Sequence, residues 1–98
     1  MARVWTHGTW VVREGSEEAF IAAWTTLARS AGSGFGGDRP TLARDRDRSN
    51  VFLTRGSWPN LEAVDAFRAS EGFAAMIAQV RPLLESFDPV TLDEVEWA

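Results

Sequence analysis

The chain has 98 residues, of which 45% are apolar and 24% charged, the proportions of an ordinary globular protein with one small core over residues 1–98. It contains no cysteine, which excludes disulfides, cysteine-ligated zinc and thiol catalysis together. The net charge of −4 argues against a nucleic-acid partner, and no apolar run approaches the roughly 18 residues of a membrane span.

Residues 3–13 are rich in β-branched and aromatic types and read as a strand, which Gly15-Ser16 breaks. Ser16 suits a helix N-cap, with Glu17 and Glu18 in the first turn, where the helix dipole favours negative charge. Phe20, Ile21, Trp24, Leu27 and Ala28 then follow the spacing of one buried helical stripe. Four glycines among residues 30–37 predict a loop, a flap over a cleft mouth with Phe35 exposed on it. Thr41–Asp45 and Asn50–Trp58 read as two antiparallel strands joined by a turn at Arg46-Asp47-Arg48-Ser49. Pro59-Asn60 stops the second of these, and Asn60 caps a helix with Leu61, Val64 and Phe67 on one stripe. After a break at Ser70-Glu71-Gly72, Phe73, Met76, Ile77, Val80 and Leu84 mark a second helical piece that Pro82 kinks or ends. Asp88-Pro89 predicts a turn, and Val90–Trp97 a last strand.

The order strand, helix, strand, strand, helix, strand is the split β-α-β pattern of the ferredoxin-like fold, an α+β architecture. It has a four-stranded antiparallel sheet with helices on one face. A period of two puts Phe52, Thr54, Gly56 and Trp58 on one side of their strand, and Val51, Leu53, Arg55 and Ser57 on the other. Both sides carry apolar groups, so the uncovered sheet face is expected to meet that of an identical subunit, a homodimer.

With these residues placed, the chain resembles the antibiotic biosynthesis monooxygenase family of dimeric α/β barrels. The resemblance runs from Gly15-Ser16-Glu17-Glu18-Ala19-Phe20 and Trp24 through Leu42-Ala43-Arg44-Asp45 and Asn50-Val51-Phe52-Leu53. Its most specific part is Trp58, Asn60, Glu62-Ala63, Phe67-Arg68-Ala69-Ser70 and Phe73, followed by Pro82-Leu83-Leu84. It implies a sheet-to-sheet dimer with a cleft in each subunit between sheet and helices. Family members include cofactor-independent oxygenases that turn phenolic or anthrone-like polyketides into quinones, and others that degrade haem. The haem-degrading branch uses a helix histidine, and residues 61–85 contain none. The polyketide-oxidising branch pairs a strand tryptophan, matched by Trp58, with an arginine from the helical layer, for which Arg81 is the candidate. Thr54 stands where the best-understood members carry asparagine, a departure that weakens any transfer of mechanism.

Each candidate residue has a functional and a structural reading. Trp58 is either the wall of an aromatic pocket, its indole N–H donating to a substrate oxygen, or a core residue. Phe52 and Phe73 are candidate pocket walls beside it, and Thr54 and Thr6 candidate partners for a substrate hydroxyl. Arg81 either stabilises a phenolate or peroxide or sits on the surface at a helix end. His7, the only histidine, is either a general base or a structural group facing the dimer interior, since Trp5, Thr9 and Val11 share its side. Lysine and tyrosine are absent, which removes Schiff-base chemistry and a tyrosine acid. One histidine and scattered carboxylates make no metal constellation, and no flavin or nicotinamide motif is present; if oxygen chemistry occurs, the substrate itself must supply the electrons, which calls for an electron-rich, easily deprotonated aromatic.

The expected function is a cytoplasmic, cofactor-free monooxygenase of a small phenolic or polycyclic aromatic. The alternatives are a non-catalytic small-molecule binding module of the same fold, or a cyclase or isomerase.

Overall fold

The computed structural model describes residues 3–31 and 36–97; residues 32–35 of the expected flap, Phe35 among them, lie outside, while its first two residues, 30 and 31, are helical and not loop, and Gly36 and Gly37 are described. Strand β1 spans Val4–Val12, helix α1 Glu17–Ala31, strands β2 and β3 Thr41–Arg44 and Val51–Trp58. Helices α2 (Leu61–Arg68) and α3 (Glu71–Val80) follow, then a 3-10 turn at Arg81–Leu83 and strand β4, Leu84–Asp93. The four strands form one sheet in the order β2-β3-β1-β4, with every neighbouring pair antiparallel. This is the expected ferredoxin-like α+β arrangement, with β1 and β3 at the centre.

Local chemistry explains the boundaries. The Asn60 side chain accepts from the Ala63 N–H to cap α2, and that of Ser70 accepts from the Phe73 N–H to cap α3. The helical layer thus breaks at Ser70 because a capping hydroxyl there starts a new helix. At the β2–β3 turn, Asp45 Oδ1 accepts from the backbone N–H groups of Asp47 and Arg48 at 2.8 and 2.9 Å. This is the Asx geometry by which aspartate stabilises a turn.

The end of the chain corrects the sequence reading. The last strand begins at Leu84, not Val90, and ends at Asp93, so Asp88 and Pro89 lie inside it and Glu94–Trp97 beyond it. Leu84 belongs to this strand instead of the helical stripe. β4 lies at the edge of the sheet, where proline does not break a ladder between two neighbours.

The core lies between the helices and one sheet face. Trp10, Val12, Phe20, Leu27, Phe52, Met76 and Val80 form its main cluster, and Val4, Trp58 and Val64 a second. Phe20 is fully buried, with its ring 5.4 Å from that of Trp10 and 5.0 Å from that of Phe52. The strand period sends Trp5, His7, Leu53, Arg55, Val90 and Leu92 to the opposite face, which no helix covers. Leu53, Val90 and Leu92 remain 44%, 42% and 39% exposed there.

Candidate active site: an aromatic cleft floored by two tryptophan–threonine pairs

A cavity of about 730 Å³ opens between the sheet and the helical layer. Its floor comes from alternate residues of the two central strands, and it follows a repeated pattern. β1 carries Thr6-His7-Gly8-Thr9-Trp10 and β3 carries Thr54-Arg55-Gly56-Ser57-Trp58, two instances of Thr-x-Gly-x-Trp. The antiparallel register sets Thr6 opposite Gly56 and Gly8 opposite Thr54, so the two copies are related by a local two-fold axis. Each indole N–H donates across the axis to the threonine of the other copy. Trp10 Nε1 lies 3.0 Å from Thr54 Oγ1, and Trp58 Nε1 lies 2.9 Å from Thr6 Oγ1.

The glycines make this possible. A Cβ at Gly8 would lie 2.8 Å from Thr54 Oγ1 and 3.0 Å from Trp10 Nε1; one at Gly56 would lie 3.0 Å from both Thr6 Oγ1 and Trp58 Nε1. Each hydrogen bond therefore spans a glycine where any side chain would intrude.

The walls are aromatic and aliphatic. Phe87 stacks on Trp10 with ring centroids 3.7 Å apart and planes 17° from parallel. Phe67 lies 5.1 Å from Trp58 and meets Phe73 edge-on at 5.3 Å. Trp24, Met76 and Ile77 complete the helical side. Of the charged residues bordering the cavity, Asp38, Arg68, Arg81 and Glu85 are exposed at its rim, and Arg55, on the floor strand, turns its guanidinium to the opposite sheet face over Trp5.

The candidates from sequence are distributed unevenly. Trp58, Thr54, Phe73 and Arg81 line the cavity. Trp58 is 6% exposed, and its N–H is engaged by Thr6, so the geometry offers a wall and not a free donor to substrate. Phe52 shares the sheet face of Thr54, but it is 1% exposed and packed into the main core beneath Arg44, outside the lining. His7 also borders the cavity, but strand alternation sends its ring to the opposite face, where it stacks on Trp5 at 6.4 Å. Its buried Nε2 has no hydrogen-bond partner among the described residues. There the Arg55 guanidinium covers Trp5 at 3.9 Å from the ring centroid. Sequence reasoning missed the pairing role of Trp10 and the two floor glycines; the duplicated five-residue pattern was the signal that carried them. No group of three potential metal ligands occurs among the described residues.

Residues 4–79 match the antibiotic biosynthesis monooxygenase family model. The chain belongs to this family. No curated protein matches it. Among solved structures, it is similar to protein SO0527 from Shewanella oneidensis at 26% identity and a TM-score of 0.87, over 95% of this chain and 91% of that one. It is also similar to SnoaB, a cofactor-independent oxygenase from Streptomyces nogalater, at 21% identity and a TM-score of 0.88, over 99% and 97%. A third, an antibiotic biosynthesis monooxygenase protein from Caulobacter crescentus, has 18% identity and a TM-score of 0.90, over 97% and 92%. Family membership and fold agree with the resemblance read from the residues. Among the described residues, no helix is long and apolar enough to cross a membrane.

Proposed function

We propose that the protein is a cofactor-independent monooxygenase that oxidises a small phenolic or polycyclic aromatic compound with dioxygen. The observation that carries this reading is the cleft itself: about 730 Å³, walled by aromatic rings and floored by two hydroxyl groups. This volume suits a planar multi-ring ligand, and apolar walls exclude the water that would divert a reactive intermediate. Each floor threonine accepts an indole N–H, which leaves its own O–H proton to donate to a ligand oxygen. Trp58 and Phe73 wall the ring system, Thr54 and Thr6 orient an oxygen, and Arg81 at the rim favours the anionic form of the substrate.

The chemistry balances without an added reductant. An activated methylene loses a proton, the carbanion gives electrons to dioxygen, and the resulting peroxide loses water to leave a carbonyl. One oxygen atom ends in the product and the other in water, with all four electrons drawn from the substrate. SnoaB, similar in fold throughout, is a cofactor-independent oxygenase, which supports the same class here.

The reading includes a homodimer. Exposed Leu53, Val90 and Leu92, with the unpartnered His7 Nε2 among them, form a face that a second copy would cover. It also places the protein in the cytoplasm, acting on a small molecule and not on nucleic acid or membrane.

One observation favours a second reading, a binding module without turnover. No charged residue that borders the cleft is buried, and the ring of His7, the natural base, projects from the other face. Oxygen uptake with an anthrone-type phenol and no added cofactor separates the two. The oxygenase reading expects uptake that saturates with substrate, exceeds a boiled control, falls in Trp58→Phe and Thr54→Val, and puts labelled oxygen into the product. Uptake no faster than the boiled control with saturable binding of the same phenol supports the binding module. Saturable conversion without labelled oxygen would point to an isomerase or cyclase.

A further inference from the structure

Beside the Trp58 wall, residues 36–38 run past the ends of β1 and β3, with Asp38 at the cavity rim. The Asp38 N–H donates to the Ser57 carbonyl at 2.8 Å, Arg3 Nε donates to Ser57 Oγ at 2.8 Å, and Arg3 pairs with the Asp38 carboxylate at 3.4 Å. These three contacts press the backbone of Gly37 onto the benzo edge of Trp58. A Cβ built on Gly37 would lie 2.9 Å from Cε3, 3.1 Å from Cζ3 and 3.3 Å from Cδ2 of that indole. All three are atoms of a rigid ring, not the yielding end of a flexible chain. The ring is held from other sides as well, by the hydrogen bond to Thr6 and by Phe67 at 5.1 Å.

We infer that Gly37 is a positioning residue for Trp58, and that the matched pair of bare glycine and full indole sets the width of the cleft. The functional consequence rests on the reading of this cleft as the substrate site. Any side chain at position 37 must drive the indole toward Phe67 and the cavity, or lift residues 36–38 and bare the indole edge to water. Either route changes the surroundings of Trp58 and the wall that a planar ligand meets. Trp10, paired with Thr54 at the other end of the floor, has no such strap against it among the described residues and stays as it is.

The test uses the full chain with nitrogen-15 in its tryptophan side chains, the Trp58 indole signal being assigned by its loss in Trp58→Leu. In Gly37→Ala the Trp58 indole N–H signal shifts and exchanges with solvent about tenfold faster, while the Trp10 signal does not move. With the anthrone-type phenol as probe, KM, or the dissociation constant if there is no turnover, rises by about tenfold, the low end of what one carbon does in an apolar pocket. kcat changes far less. Gly37→Ala also lowers the urea midpoint in the native sequence, but not in a Trp58→Leu background, where the clashing ring is gone.

An unshifted Trp58 signal, or an equal loss of stability in both backgrounds, overturns the inference. If Gly37→Ala alone does not fold but the double variant does, the inference stands. If neither folds although Trp58→Leu does, it falls. The indole signals need no turnover, so what they show is independent of the oxygenase assay.

Discussion

At the scale of single residues, the candidate site depends on polar groups satisfied inside an apolar wall. An indole N–H and a hydroxyl that pair across the floor cost little to bury, whereas either alone is expensive. Thr54→Val keeps the shape and removes the acceptor of the buried Trp10 N–H. The expected loss is about 1–3 kcal/mol of unfolding free energy in urea titration, with Thr54→Ser close to the native protein. Trp58 and Thr54 were legible as candidates because strand alternation puts them on one face. Their engagement with Thr6 and Trp10 was not, since hydrogen bonds between residues 52 and 44 positions apart depend on the pairing of β1 with β3. The placement of His7 follows from the same alternation, which sends Thr6 and Gly8 into the cleft and the residue between them away from it.

Asp45 shows charge and turn geometry acting together. The backbone N–H of Asp47, then that of Arg48 and the Arg48 guanidinium, hold its carboxyl below the usual carboxylate range, against the opposing effect of desolvation. A folded value below the unfolded one means that the ionised group stabilises the fold above the ordinary aspartate value of about 3.9. That contribution is lost as pH falls through the folded value. Urea midpoints of native protein and Asp45→Ala should therefore differ near neutrality and draw together under acid conditions below the folded value.

At the scale of elements, capping decides where the helical layer starts and divides. Asn60→Ala removes the acceptor for the Ala63 N–H at 2.9 Å and is expected to cost about 1 kcal/mol by chemical denaturation, with Asn60→Asp retaining most of it. The elements with a strong local signal were readable: the β1 run, the α1 stripe, and the break at Ser70. The last strand was not. Asp88-Pro89 has the local chemistry of a turn, but tertiary pairing overrides it: Pro89 sits opposite Gly8 and Phe87 opposite Trp10, where the ring stacking holds the strand in place. An edge position tolerates the missing N–H, and edge position is a property of strand order, not of the residues near a proline.

At the scale of the whole molecule, the two sheet faces have different fates. One is sealed by helices and holds the cleft; the other leaves Leu53, Val90 and Leu92 more than a third exposed. If a second copy covers that face, Leu53→Glu buries a charge at the contact and should yield a monomer by sedimentation, with its far-ultraviolet spectrum unchanged. A native protein already monomeric at micromolar concentration would defeat the dimer reading at the outset.

The sequence by itself determined the succession of strands and helices, the α+β class, and which residues share a strand face. Those properties follow from periodicity, capping and propensity, all of which act within a few residues. Only the tertiary structure decided that Phe52 is core while Thr54 lines the cleft, that two copies of Thr-x-Gly-x-Trp face each other across a local two-fold axis, and that Gly37 packs against the benzo ring of Trp58. These depend on register and on contacts between distant segments, where one residue of slip moves every side chain to the other face.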